Sequence, residues 1–482
     1  MVKRIEIQDE VLKRVGGVAD RIGIAAYVVG GYVRDVLLGR EVKDTDIVVI
    51  GSGVEFAKIV ANDFQRSNLV LFENFGTAML PLDDRKLEFV GARKESYQKD
   101  SRKPLVEVGT LNEDLLRRDF TVNALAASLN EKTFGEIVDP FDGESDLHKK
   151  ILRTPLDPEV TFDDDPLRIM RAMRFASQLG FSIEPHVINA ARTMAGRLTI
   201  VSQERISDEF LKIMSSSVPS IGLQLLYDSG VMQVVFPEIV QLAGVDQLNE
   251  HHHKDVFKHT LQVVDKVAAV SDNLWLRMAA LLHDIGKPGT KAFKPDIGWT
   301  FYGHEDLGAR MSKRIFRRMR FPLDHLPYIE KLIRLHLRPQ ALVDDGVTDS
   351  AVRRLMFETG NDIDDLMLLC RADITSKNQK LVEKVSRNYD LVIAKMVEVE
   401  EKDRIRNWQP PLRGEEIMSV CGLSEGPMVG VLKDKITDAI LDGAIHNDHD
   451  AALQYLLLIK DEVMSQPPIK KRSVGLNVKH LL

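Results

Sequence analysis

Cysteine is nearly absent: Cys370 and Cys421 are the only two in 482 residues. Two cysteines so far apart supply neither a disulfide framework nor a cysteine zinc site. Long apolar runs are missing as well. No stretch approaches the roughly eighteen residues of a membrane-spanning helix, and the opening MVKRIEIQDEVLKR is charged where a secretion signal would be apolar. An excess of positive charge is also lacking, with a formal net charge of -7. That total excludes binding to nucleic acid by bulk charge but not by a local basic face. Internal repeats and low-complexity tracts do not occur. The expectation is a protein of a reducing cytoplasm with no membrane part.

What is present is ordinary for a globular chain, 44% hydrophobic and 28% charged, and long enough for two to four domains. Up to about residue 145 the sequence mixes helical stretches with short β-like ones: AAYVV, TDIVVI, TAMLPL and KLEFVG. After Pro155 the apolar residues recur at three- and four-residue spacing, as in DPLRIMRAMRFASQL and ERISDEFLKIM, which predicts helices. A break near Gly244–Asn249 precedes a second helical block, in which HHHK at 251–254 reads as surface where a helix begins. A third block carries the punctuation WQPPLRG and GLSEGPMVG. The expected class is α+β: a mixed-sheet head over 1–150, a helical neck and body over 151–248, a helical domain over 249–380 and a helical tail over 381–482. Basic clusters lie at Lys94, Lys99, Arg102 and Lys103; at Arg168, Arg171 and Arg174; and from Lys313 to Arg320. Their plain reading is solvated faces.

The head carries chemistry. In YVVGGYVRDVLLG, Gly30 and Gly31 follow a strand and open a helix whose free N–H groups suit phosphate. Asp44 and Asp46 in DTDIVV, two apart on a strand, share one face. Paired carboxylates of this kind hold Mg²⁺ ions for in-line phosphoryl displacement, and Glu88 on a neighbouring strand is the third candidate. In LLRRDFTVNALA, Asp119 and Asn123 are four apart, one helical face if the segment is a helix, with Arg117 and Arg118 just before them. Such a group suits a triphosphate and a ribose. In FDDDPLRIMRAMRF, Asp165 has the position of a helix cap and Pro166 that of a first helical residue. Asp165 and Arg168 also make a selective pair. Cytosine and adenine both offer an amine donor beside a ring-nitrogen acceptor, so a carboxylate and a guanidinium together accept these bases and refuse uracil and guanine.

These stretches, with DPFDG at Asp139–Gly143 and VSQERI, resemble the successive motifs of class II CCA-adding enzymes and their poly(A) polymerase relatives, over about residues 22–245. The resemblance implies a polymerase-β-like nucleotidyltransferase head, then helical neck, body and tail. It implies Mg²⁺ at Asp44 and Asp46, and a nucleotide pocket of Gly30, Gly31, Arg34, Arg118, Asp119 and Asn123. Asp165 and Arg168 are implied as base readers, with Arg171 and Arg174 on the same helix. Its partners would be the 3′ end and acceptor arm of tRNA, ATP and CTP; protein partners are unknown. One departure is Asp164, where the family carries Glu.

Further on, His259, the doublet His283-Asp284 and the distal Asp373 offer nitrogen and oxygen ligands suited to Mn²⁺, Ni²⁺, Mg²⁺ or Fe²⁺. They resemble the HD phosphohydrolase superfamily, and His304 and His336 match the extra histidines of its two-metal members. The expected activity is CCA addition to tRNA, with HD phosphohydrolysis as an extra. The alternatives are a poly(A) polymerase, an HD phosphohydrolase with a degenerate RNA-binding head, and a non-catalytic RNA adaptor. Addition of only CC or only A also stays open. RKESYQKDSRKPLVEVG looks like the flexible loop that CC-adding members lack, which favours adding A.

Overall fold

The computed structural model describes residues 3–42, 44–72, 76–83, 85–98, 101–249, 252–296, 298–344, 348–375, 378–403 and 410–465. The chain divides into two compact units, Met1–Arg277 with Arg314–Leu323, and Met278–Lys313 with Asp324–Leu482. Among the described residues no helix is long and apolar enough to cross a membrane.

The first unit begins with the head. Its strands are β1 (Ala26–Val29), β2 (Thr45–Val49), β3 (Val70–Phe72), β4 (Thr77–Pro81), β5 (Lys86–Gly91), β6 (Arg93–Gln98), β7 (Ser101–Val108), β8 (Ala126–Ser128) and β9 (Ile137–Val138). Seven of them form one sheet in the order β3-β4-β5-β2-β1-β8-β9. Only β2 and β5 run parallel; the other neighbours are antiparallel. The two-residue period of a strand decides what each face carries. Val28, Ile47, Val49 and Phe89 share one face with Leu12 and Val15 of the helix Glu10–Arg21 and Phe56 and Val60 of the helix Gly53–Asp63. Phe56 and Phe89 meet edge to face at 5.8 Å, and burying each ring is worth ~1.5–3 kcal/mol. The two helices start where side chains satisfy free N–H groups, Asp9 accepting from Val11 and Leu12 and Ser52 from Glu55. Val29 and Val48 face the other way, against Ala92, Leu115, Ala124 and Ala126. By the same period Asp46 lies on this second face, so the acids stand opposite the helix-covered core.

Helices follow. Leu167–Leu179 packs Ala172, Phe175 and Ala176 into the head's core. It is tied to the helix Gln203–Met214 by Arg174, whose Nε donates to buried Glu209. The second unit gathers Leu326–Leu335, Asp349–Thr359, Ile363–Asp373 and Gln379–Asp403. Beyond them Gly414–Cys421, Pro427–Leu441 and His449–Ser465 close on their own core of Ile417, Leu432, Ile436, Ala452 and Leu456.

The helical region is less pure than its periodicity predicts. Two-stranded ribbons pair Ile151–Leu152 with Ser182–Ile183, Asp246–Asn249 with His252–Asp255, and Ala292–Lys294 with Gly298–Thr300. His252, His253 and Lys254 are thus strand residues, and the helix starts at Val256, capped by Asp255. The expected loop after residue 92 is also a ribbon: β6 pairs with β7 from Arg93↔Val108 to Gln98↔Ser101, with a bulge between Ser96 and Gln98.

Candidate active sites

In the head, β2 begins at Thr45, so Asp44 precedes the strand and Asp46 lies in it. Asp46 pairs with Glu88 across the parallel β2–β5 register, which puts two carboxylates side by side. Burial raises the Asp46 pKa; Arg118 opposes the rise, and Glu88 and Asp44 add to it. Lys86 Nζ stands 2.9 Å from Glu88 Oε1 and 3.9 Å from Asp44 Oδ1. The Asp44 and Glu88 side chains are 75% and 49% exposed. Mutually repelling acids, two of them open to solvent and already attracting a lysine, fit divalent cations.

Behind them stands Arg118. Gly30 takes φ +67°, and a Cβ there would lie 2.7 Å from Arg118 Nη1, so the glycine admits the guanidinium. Gly31 opens the helix Gly31–Leu37 as expected. Arg118 and Arg117 are held by Asp114, a wholly buried acid that spacing alone did not single out. Arg117 Nη2 lies 2.6 Å and Arg118 Nη2 3.3 Å from its oxygens. Burial pushes the Asp114 pKa up, but Arg118 and Arg117 bring it below the usual value. Among the described residues the buried Nε of Arg118 has no hydrogen-bond partner, which suits an anionic ligand.

Asp119 and Asn123 do meet, but not on an α-helix: only Thr121–Asn123 is helical, as a 3₁₀ turn. Asp119 Oδ1 accepts from Phe120 N at 2.9 Å and from Asn123 Nδ2 at 3.0 Å. Its Oδ2 accepts from Arg171 Nε at 2.7 Å. Asn123 Oδ1 in turn accepts from Arg34 Nη1 at 2.8 Å, and Arg34 is gripped by both oxygens of Asp35. Burial would raise the Asp119 pKa, yet Arg171 and Asn123 bring it to about 2. The network is a frame around the pocket.

Asp165 accepts from Leu167 N at 3.2 Å and from Arg205 at 3.2 Å, and the helix starts at Leu167, one residue past the expected Pro166. Arg168 is buried, its Nη1 donating to Thr161 O at 3.2 Å and its Nη2 to Arg117 O. Arg174 is buried between Glu209 and the Phe175 ring, 3.9 Å from its centroid. Arg168 and Arg174 are therefore internal and not a solvated face, while Arg171 is half-buried against Asp119.

The second unit holds a different site. His283, Asp284, His304 and His336 are all buried. Each histidine has Nδ1 on a carbonyl three residues earlier, Ala280 at 2.8 Å, Phe301 at 2.8 Å and Ile333 at 2.6 Å. Such bonds leave Nε2 to serve as the ligand. His283 Nε2 lies 3.2 Å from Asp284 Oδ2 and 3.5 Å from Asp373 Oδ1, and His304 Nε2 lies 3.3 Å from Asp284 Oδ1. Ligand atoms of Asp284, His304 and His336 fall within 4.8 Å of one another. Burial works against a charged His283, but Asp284 and Asp373 outweigh it and lift the pKa to about 10; burial and His283 push His336 down to about 4. The carboxylates that favour positive charge at His283 would equally favour a cation, and the donor set fits a transition metal. Lys287 was missed, though it stands three residues after Asp284: it is buried, with Nζ 2.6 Å from Asp284 Oδ2. Gly286 lets two segments cross, since a Cβ would lie 2.2 Å from His304 O. His259 is buried on the helix Val256–Ala268 of the first unit.

Three stretches match described domain families: the poly A polymerase head domain over 26–153, the probable RNA and SrmB-binding site of polymerase A over 180–242, and the HD domain over 256–378. The chain is 37% identical over 311 residues to the multifunctional CCA protein of Shewanella frigidimarina, covering 62% of this chain and 70% of that one. It is 31% identical over 446 residues to the CC-adding tRNA nucleotidyltransferase of Thermus thermophilus, covering 88% and 92%. The chain belongs to the tRNA nucleotidyltransferase family. A solved tRNA nucleotidyltransferase, complexed with a primer tRNA and an incoming ATP analog, is 28% identical with a TM-score of 0.58, covering 80% of this chain and 99% of that one. Both families expected from the motifs, nucleotidyltransferase and HD, are thus present.

Proposed function

We propose that the head adds C, C and A to the 3′ end of tRNA from CTP and ATP, releasing pyrophosphate. The observation that carries this reading is the strand register that sets Asp46 beside Glu88, with Arg118 near enough to oppose the rise of the Asp46 pKa. Asp44, Asp46 and Glu88 would hold Mg²⁺, which supplies charge for the attacking and leaving oxygens. The 3′-hydroxyl oxygen bonds to the α-phosphorus, the bond to pyrophosphate breaks, and the hydroxyl proton goes to solvent. Gly30, Gly31 and Arg118 form the phosphate cradle. Asp119 acts as a positioning residue that aims Asn123 and Arg171, while Arg34 steadies Asn123. Asp165 and Arg168 read the base: two carbonyls occupy only part of a guanidinium's five donors. Arg174 keeps the reading helix in place.

We also propose that the second unit hydrolyses a phosphoester. His283, Asp284, His304, His336 and Asp373 would hold a transition metal such as Mn²⁺ or Ni²⁺, which activates water. The water oxygen bonds to phosphorus, and the ester oxygen leaves and takes up a proton. The Nδ1 bonds of the three histidines support this reading. Incubating transcripts that end at the discriminator base with CTP, ATP or both, and sequencing the products, tests the first proposal. Growth by CCA supports it, whereas growth by CC alone, A alone or a long A tract replaces it.

A further inference from the structure

Between the two ligand-bearing segments of the second unit lies a ribbon with an unusual surface. Strands Ala292–Lys294 and Gly298–Thr300 pair with Phe293 opposite Trp299. The two rings meet at 5.3 Å on one face. Lys291 Nζ sits 4.6 Å from the Trp299 ring centroid, and Lys294 Nζ lies 4.6 Å from that of Tyr302. Phe293, Trp299 and Tyr302 are 61%, 40% and 68% exposed. An isolated two-stranded ribbon is marginally stable, and rings left this open add little to it.

The root of the ribbon is fixed to the metal-ligand shell. Phe301 O accepts from His304 Nδ1 at 2.8 Å. Lys287, bonded to Asp284, lies over the Phe301 ring at 5.8 Å. The aromatic surface therefore starts within two residues of His304. Aromatic rings interleaved with lysines suit nucleobases and their phosphates. A protein partner is the poorer fit, because lysine is depleted at the cores of protein interfaces.

We propose that this ribbon is a base-stacking platform that seats single-stranded RNA, directing a nucleoside phosphoester toward the histidine-lined site. The use of that ester rests on the phosphohydrolase reading; the stacking does not. On binding, a base takes the face of Trp299 or Tyr302, and the displaced ammonium turns to the phosphate. The first test is photocrosslinking of a 4-thiouridine-bearing hexaribonucleotide to the full chain in EDTA, mapped by mass spectrometry. Crosslinks within residues 291–302 are expected; crosslinks confined to other regions overturn the platform. The second test compares kcat/KM for adenosine 3′-monophosphate with that for glycerol 2-phosphate, with metal bound. Trp299→Ala or Tyr302→Ala should lower this ratio about tenfold through KM, and Trp299→Phe or Tyr302→Phe should restore most of it. An unchanged ratio in properly folded alanine variants overturns the proposal. Crosslinks at the ribbon without hydrolysis of either ester would uphold the platform and refute the phosphohydrolase reading.

Discussion

The two candidate sites gather groups that would hold divalent cations by opposite means. In the head the acids stand on an open sheet face, repel one another and lean on Lys86. Strand register sets Asp46 beside Glu88, and the exposed Lys86 is the partner the acids share. In the second unit the imidazoles are buried, and each is locked by its own carbonyl. The head is built to be completed by its substrate, whose triphosphate brings further ligands for the cations. The second site is organised before any substrate arrives. An open site is expected to bind metal weakly and exchange it freely, and an enclosed imidazole site to keep its metal through purification.

The largest effect belongs to the open site. Asp46→Ala should lower nucleotide addition at least about a hundredfold, roughly 2.7 kcal/mol in the barrier, with Tm nearly unchanged. A residual rate above about a tenth of wild type would remove Asp46 from the metal set. For the enclosed site, His336→Ala should abolish retention of Mn²⁺ or Ni²⁺ measured by elemental analysis, together with any phosphoester hydrolysis, and spare tRNA extension. Full metal retention in that variant would mean the site is assembled from other residues.

The frame behind the open site offers a pH test. Asp119 is held at about 2 against an ordinary 3.8. Its charged form therefore stabilises the fold by roughly 2 kcal/mol. A depressed carboxylate contributes fully above the unfolded value and loses that contribution as pH falls toward the folded one. Asp119→Asn should be less stable than wild type at pH 7 by that order, and the difference should shrink as pH drops from about 4 to about 2. A gap independent of pH would mean the loss is one of packing.

The smallest effect concerns base choice. Asp165→Asn keeps a side chain able to cap Leu167 but changes what is offered to a base. It should reduce the preference for CTP and ATP over UTP and GTP about tenfold, near 1.4 kcal/mol. Unchanged selectivity at an unchanged rate would leave Asp165 a helix cap and nothing more.

What could be read from residues alone follows from how far apart the partners lie. Asp44, Asp46 and the His283-Asp284 doublet were picked out by residue type and short spacing, although Asp44 lies just before the strand and not in it. The face that Glu88 occupies follows from the fixed period of a strand, whereas its place beside Asp46 comes from the pairing of two strands. Arg171 on Asp119, 52 positions apart, and Arg174 on Glu209, 35 apart, were not, since helix packing brings them together. Arg168 and Arg174 therefore looked like solvated charge. The ribbon after residue 92 looked like a loop because its many charges hide the alternation of a strand. The strand at His252–Asp255 was concealed in the same way, since all four of its residues are polar.

Asp114 has a consequence for how the nucleotide pocket responds to salt. The acid lies under both Arg117 and Arg118, so the three side chains together carry one net positive charge, not two. Ionic strength acts on net charge beyond the Debye length of about 8 Å at physiological salt. An incoming triphosphate is thus attracted from afar by less than the count of arginines suggests, and most of its hold is gained at contact, through directed N–H donors. Nucleotide KM should then rise only gently between low and physiological salt, while tRNA affinity, which draws on a longer polyanion, falls steeply.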